Sequence, residues 1–329
     1  MNYFLISADG KQEWDMTGEN RSVVTHFFFE PFSNIFEVQA TLFFLVLLMF
    51  IIDLGGNILI IVITLADPVL HSPMYFFLRN LSCVEISYTS STIPNMLLSF
   101  FSKENRISFL GCAMQLNFFA LLGITECFVL AAMAYDRYVA ICHPLHYMTM
   151  MNRRVCFQLL AVSWLMGVLV GVGQTASTFT LPFCGPNKKT PFFCDLPPLL
   201  KLVCVNTYRN EIITYAVTII FIMVPFMLIL MSYACILQTI LKIPSAESRK
   251  KTFSTCSSHL IVVTLFYGSG IVTYLRPKSF YSLSSDKLLS LFYTLMSPML
   301  NPLIYSLRNK EVKQTLKRLI SRKIYHSTV

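Results

Sequence analysis

Charge is scarce in this sequence. Only 13% of its 329 residues are charged and 55% are hydrophobic, with a mean hydropathy of +0.60. Soluble domains carry about 25% charged residues, so this deficit excludes an ordinary soluble fold and points to an integral membrane protein. Alternating segments of about ten residues are missing as well, which excludes a transmembrane β-barrel. The first residues, "MNYFLISADGKQEWD", have neither a basic start nor a long apolar core. No cleavable signal peptide is therefore expected, and the first span is expected to act as an uncleaved anchor. The tail after residue 307 holds no cysteine, which excludes a palmitate anchor there.

Three further absences bear on function. No internal repeat is visible, whereas a secondary transporter is built from two related halves; transport of a small solute is the runner-up reading. Acids inside the apolar runs are too few to form a ring within one chain, which disfavours a channel. HExxH is absent, and "YGSG" places Tyr267 where a nucleophile elbow needs glycine, although Ser269 follows His259 by ten residues. An enzyme is not expected.

Long apolar runs are what the sequence does have. A hydrocarbon core about 30 Å thick needs roughly 20 apolar residues per helix. Seven segments qualify: 39–65, 74–100, 113–135, 156–178, 212–241, 255–275 and 286–307. The last is diluted by Ser290, Thr294, Ser297 and Asn301, and its "SPMLNPLIYSL" can be satisfied only against other helices. The expected fold is all-α, a seven-helix membrane bundle over 39–307, between an N-terminal segment 1–38 and a tail 308–329. Pro225, Pro298 and Pro302 fall inside helices and each frees a carbonyl for a bend.

Charge sets the orientation. One set of loops, with the tail and Arg79, carries fifteen basic residues against Asp67, Asp136, Glu247 and Glu311; the opposite side carries eleven basic and ten acidic. The positive-inside rule puts the C-terminus in the cytosol. The net charge of +9 thus reports topology and affinity for anionic membrane lipid, and basic residues scattered over short loops do not suit nucleic acid. The sequon Asn20-Arg21-Ser22 lies in the expected extracellular segment, while Asn80-Leu81-Ser82 lies near the cytosol and is expected to stay unmodified. Of ten cysteines, Cys112, Cys184, Cys194 and Cys204 fall on the extracellular side, and four cysteines allow three pairings. A bond from Cys112 to the long loop would pin that loop over the bundle as a lid.

Two acids lie deep in the apolar runs. Glu126 precedes Arg137 by eleven residues, placing it roughly 16 Å from the end of the third run, and Glu85 follows Pro73 by twelve, placing it roughly 18 Å along the second. The two can share one depth. Buried acids are costly unless paired, protonated or bound to a cation. One option is a Na+ site completed by Asn57, Ser87 or Asn301; another is a shared proton. Asp53, on the first run, has no assigned partner.

Motifs then accumulate. "MAYDRYVAICHPLHY" ends the third run, and with it stand Gly56-Asn57, "HSPMYFFLRNLS" from His71, Ser232-Tyr233, "KTFSTCSSHL" from Lys251 and "PMLNPLIYSLRN" from Pro298. Together these resemble the signatures of rhodopsin-like (class A) G-protein-coupled receptors, specifically odorant (olfactory) receptors, over about Met16 to Ile320. The family's usual start resembles "MTGENRSVV", so translation from Met16 is an alternative to Met1. The segment "NKEVKQTLKRLI" is basic and amphipathic and is expected to lie on the membrane as a short helix.

The resemblance implies a set of roles. Cys112 would bond Cys194, and Cys184 would bond Cys204. Asp136 would restrain Arg137 in the inactive state, Arg137 being released as the sixth helix swings outward. Tyr138 completes that motif, and Tyr233, Asn301, Pro302 and Tyr305 belong to the rearranging core. Glu85 and Glu126 match the family's intramembrane acids, for which a Na+ site is suggested. Phe119, Gly123 and Ile124 share a face by their i, i+4, i+5 spacing. With Val217, Phe221, Tyr267, Ile271 and Tyr274 they match positions lining the odorant pocket. Such a pocket is small, aromatic and mostly apolar, suiting a volatile or hydrophobic ligand. No acid stands at the outer end of the third helix to anchor an amine. Implied partners are a small-molecule odorant, a stimulatory olfactory-type heterotrimeric G protein acting through cyclic AMP, and arrestin; no cofactor is implied beyond the structural Na+.

Overall fold

The computed structural model describes residues 24–29, 35–101, 106–183, 189–190, 193–274, 291, 294–295, 297–308 and 312–318. The longer helices among them are α1 (Phe36–Ala66), α2 (Pro73–Phe101), α3 (Phe109–Cys142), α4 (Arg153–Phe179), α5 (Tyr208–Leu241), α6 (Ala246–Tyr274) and α7 (Ser297–Arg308). Five of these, α1, α3, α4, α5 and α6, are long and apolar enough to cross a membrane. α2 is 29 residues long but diluted by polar side chains, among them Ser82, Glu85, Thr89, Thr92 and Ser99, all buried. The chain is a multi-span, all-α membrane-helix bundle.

Many of the polar residues in the apolar helices face inward, the reverse of a soluble protein. In α1, Phe44, Leu48, Ile51, Ile58 and Val62 form an exposed stripe at helical spacing, while Asp53, Asn57, Ile60 and Thr64 face the bundle. That pattern fits a lipid exterior, where leucine gains nothing by burial and polar groups gain partners. α3 is the central post. Of its most apolar stretch 61% is buried, against 22–33% in the other four, and it packs on α2, α4, α5 and α6. α1 meets both α2 and α7, and α6 meets α7, so the bundle closes on itself.

Small residues let α3 and α4 approach. Gly167 and Gly171, one turn apart on α4, lie against the α3 backbone: a methyl group on Gly167 would stand 2.5 Å from the Leu121 carbonyl oxygen, and one on Gly171 2.9 Å from that of Asn117. This small-xxx-small spacing replaces hydrophobic driving force with close van der Waals contact. Side-chain caps start both helices, Ser108 Oγ accepting from Gly111 N and Asn152 Oδ1 from Val155 N.

Pro225 acts differently from a simple bend. The five residues before it, Ile219–Met223 with Val224 following, form a π-helical turn, which absorbs the backbone hydrogen bond that proline cannot donate. Pro94, inside α2, is a further break that the sequence reading passed over. At one end of the bundle the fold also departs from the purely helical expectation. β1 (His26–Phe29) pairs antiparallel with β2 (Arg106–Ser108) and parallel with β3 (Lys189–Thr190). Strands this short leave no readable alternation in sequence. Phe27 anchors this cap, its ring 6.1 Å from Phe109 and 5.3 Å from Phe183.

At the opposite end, residues 312–318 are helical. Arg318 forms an ion pair with Asp67 at 3.0 Å and Thr315 Oγ1 donates to the same carboxylate at 3.1 Å.

Gly167→Leu is expected to lower stability by about 1–3 kcal/mol through overpacking. Gly173, where an added side chain meets open space, is the control. Thermal unfolding of the two detergent-solubilised variants decides between them, and equal midpoints would remove the close-approach argument.

Candidate functional site

The disulfide end of the bundle is closed by a tethered lid. Cys112, at the start of α3, bonds Cys194, with Cα atoms 5.4 Å apart. Cys204 is also disulfide-bonded; Cys184, its implied partner, lies outside the described residues, as does Asn20. Gln115, one turn below Cys112, ties the lid and α2 to α3: its Oε1 accepts from the Cys194 N–H at 2.9 Å, and its Nε2 donates to the Ser91 carbonyl of α2 at 3.1 Å. The Phe193 ring beside it meets Phe119 in a tilted contact, centroids 5.3 Å apart, and Phe119 meets Tyr88 likewise at 5.2 Å. An aromatic ladder thus runs from the lid to α2.

Beneath the lid lies a cavity of about 130 Å³. Phe119, Gly123, Ile124, Val217 and Tyr267 line it as expected. Phe221 and Ile271 do not; both are half-buried outside its wall. On α5 the cavity face runs Thr214, Thr218, Ile222 at regular i+4 spacing with Val217 beside it, and Phe221, inside the π-helical turn, falls just off that face. On α6, Phe266, Tyr267 and Gly270 provide the wall. The Tyr274 side chain lies outside the described residues. Sequence reasoning also missed Gln174 of α4, Thr214 and Thr218 of α5, and Asp195 of the lid. A lone amide in the apolar stretch "WLMGVLVGVGQTASTF" was the available signal for Gln174.

The cavity floor is a polar core. Asn301 of α7 donates through Nδ2 to the Glu85 carboxylate of α2 and, at 3.4 Å, to Glu126 Oε1 of α3. The two acids therefore do share a level. Asp53 gains partners as well, Asn57 Nδ2 donating at 2.7 Å and Thr89 Oγ1 at 2.8 Å. Ser87 is not part of this core: it is exposed and donates to its own helix at Cys83. The amide oxygens of Asn57 and Asn301 are buried without a partner. Among the described residues no group of three or more His, Cys, Asp or Glu is placed to hold a metal ion.

Contacts linking α3, α5 and α6 continue from the floor. The Tyr267 hydroxyl donates to the Cys127 carbonyl at 2.9 Å, joining α6 to α3, and its ring lies 5.0 Å from Phe226 of α5. Deeper, the Tyr233 hydroxyl and His259 Nδ1 bond at 2.8 Å between α5 and α6. Pro302 and Tyr305 of α7 are buried.

Asp136 and Arg137 do not pair with each other. Adjacent residues on a helix diverge by about 100°, so they meet different neighbours. Asp136 is buried and accepts from the Tyr147 hydroxyl at 2.8 Å, in the short helix Tyr147–Met150. Burial first, and the Asp136 carboxylate second, hold the Tyr147 hydroxyl above the usual phenol range, so it stays a neutral donor. Arg137 instead donates to the Met74 sulfur of α2. Tyr138 is half-buried against the core, its hydroxyl 3.1 Å from His143 Nε2.

A closed helix bundle with a disulfide-tethered lid, an apolar cavity and a polar core beneath it has the architecture of a class A G-protein-coupled receptor. The sequence profile described as olfactory receptor matches residues 46–323. Olfactory receptor 10A2 of Homo sapiens is 56% identical over 286 residues, covering 87% of this chain and 94% of its own length. The human olfactory receptors 10C1 and 10A5 are 51% and 54% identical, covering 93% and 91% of the chain and 98% and 95% of their own lengths. The chain belongs to the olfactory receptor family, which is a family of receptors and not of enzymes.

Tyr147→Phe removes the donor to Asp136 and is expected to cost about 1.5–3 kcal/mol, the range for hydrogen bonds to charged groups. Thermal unfolding of the purified variant measures it; an unchanged midpoint would mean that Asp136 is held by other means.

Proposed function

We propose that this chain is an odorant receptor of seven transmembrane spans, with its N-terminus and lid extracellular and its C-terminus cytosolic. A small hydrophobic volatile would bind in the cavity, and the stimulatory olfactory-type heterotrimeric G protein would raise cyclic AMP. One observation carries this reading: Tyr267 walls the cavity and also bonds α6 to the Cys127 carbonyl of α3. A ligand can act only through a difference in affinity between two packings, and one that displaces the Tyr267 ring changes the bond holding α6. The outward swing of α6 would then separate Tyr233 from His259 and open a cytosolic groove for a G-protein helix. Arg137, already unpaired from Asp136, turns into that groove. Residues 312–318, with Val312 and Thr315 buried and Lys313, Lys317 and Arg318 exposed, support an amphipathic helix lying along the membrane surface.

The polar core is the second element of the switch. Two adjoining buried carboxylates need one compensating positive charge, Na+ or a shared proton. Glu85, Glu126 and the orphaned oxygens of Asn57 and Asn301 form an all-oxygen donor set that fits a Na+. Bound there, the ion would hold α2, α3 and α7 together.

Two measurements test these roles. In cells carrying the olfactory-type G protein and a cyclic AMP reporter, an agonist volatile is expected to give a dose-dependent signal, lost in Phe119→Ala and Tyr267→Ala while surface display persists. Arg137→Ala is expected to reach the surface and stay silent; a full response in that variant would sink the coupling mechanism. For the ion, replacing Na+ by choline at constant ionic strength is expected to lower the unfolding midpoint of the wild-type protein but not that of Glu126→Gln, and identical shifts in both would exclude Na+ at this pair.

A further inference from the structure

Most of the cavity wall is apolar; Tyr88, Glu126, Asp195, Tyr267 and Ser269 are spread around it, and Gln174, Thr214 and Thr218 form a polar group where α4 meets α5. Gln174 is 7% exposed, lines the cavity, and its Oε1 is buried without a hydrogen-bond partner. Leaving such an acceptor unmade costs about 1–3 kcal/mol, so an empty cavity holds an unmet demand for a donor. The position is fixed by a neighbouring bond: Asn210 Nδ2 of α5 donates to the Ser177 carbonyl of α4 at 3.2 Å. Gln174 lies about one turn deeper than Ser177, and Thr214 about one turn deeper than Asn210, so both meet the cavity just below that junction. Thr218 follows one turn further in.

Hydrogen-bond bookkeeping then selects the ligand. The Thr214 hydroxyl already donates to the Asn210 carbonyl at 2.9 Å, so towards the cavity its oxygen can only accept. The remaining charged groups of the wall, Asp195 and Glu126, are acids, and no Lys, Arg or His lines it. A carboxylate ligand is therefore repelled. An ether, ketone or ester brings acceptors alone and leaves Gln174 Oε1 unmet. A neutral hydroxyl supplies the missing donor and, unlike an ammonium, which only donates, also accepts in return from the Gln174 amide N–H or the Thr218 hydroxyl.

We propose that Gln174, with Thr214 and Thr218, forms a hydroxyl-reading subsite and that this receptor's ligands are small apolar alcohols or phenols. This rests on the reading of the cavity as the odorant site. It adds that selectivity is set from α4 and α5, while Tyr267 on α6 transmits the signal. Sites built around a hydrogen-bonded hydroxyl reject analogues lacking it far more strongly than apolar walls discriminate by size.

The test is direct binding, independent of signalling. The purified full-length receptor in detergent is titrated with primary alcohols and phenols and with their methyl ethers and parent hydrocarbons, reading the rise in unfolding midpoint. The alcohols are expected to bind at least tenfold more tightly than their ethers. In Gln174→Leu and in the near-isosteric Gln174→Met, that preference is expected to shrink about tenfold while hydrocarbon binding is kept. If alcohols and ethers bind equally, and Phe119→Ala abolishes both, the cavity stands and the hydroxyl subsite falls. A preference that survives both Gln174 variants also overturns it, and binding of none of these compounds overturns both readings.

Discussion

The Asn301 amide touches two carboxylates on two other helices, and much of the bundle is arranged around that contact. In lipid no water is available to solvate Glu85 or Glu126. Their burial is eased where α2, α3 and α7 converge on the Asn301 amide, with Asn57 of α1 a further donor to Glu85. That convergence fixes the rotation of all three helices. It also explains why α1 turns Asp53 and Asn57 inward, next to Thr89 of α2, and why its apolar residues are left to the lipid. In this fold the polar residues specify the packing, and the apolar ones satisfy the solvent.

From this junction the structure divides into closely packed helices and more lightly tied ones. α3 and α4 are locked by backbone approach at Gly167 and Gly171, and the lid is locked to α3 by Cys112 and Gln115. α5 and α6 are held to α3 more lightly, with the Tyr267 hydroxyl prominent among their ties. The π-helical turn lies within α5, on the cavity wall. Such turns are frequent at functional sites. Cavity, π-helical turn and tie thus fall on the same pair of helices.

The Asp136 end shows how local context redirects a familiar motif. Asp136 is buried, and a buried carboxylate without partners is expensive. Tyr147 meets that need from the following short helix, so the loop between α3 and α4 becomes part of the helix terminus. Arg137 is freed to lie against α2 at Met74. Arg137 thus combines a contact on α2 with the electrostatic attraction of the neighbouring Asp136 carboxylate, without a salt bridge between the two.

Composition and periodicity were enough to establish an all-α membrane bundle, because the lipid solvent imposes long apolar helices whatever their contacts. Spacing also placed Glu85 and Glu126 at one depth, since helical rise is a constant. Motifs such as "MAYDRYVAICHPLHY" were legible because side-chain identity itself carries them. Contacts between distant segments were not legible. Nothing in one dimension shows that Tyr147 would take the carboxylate expected for Arg137, or that Ser87 would face lipid while Thr89 faced Asp53. The exchange of Phe221 for Ile222 depends on the rotation of α5 against its neighbours, and the importance of Gln174 on its place at a cavity wall with a buried, unmet acceptor. Sequence determines which residues must be buried or wetted; only the tertiary structure decides which of them meet, because helix rotation and register are set jointly by all neighbours.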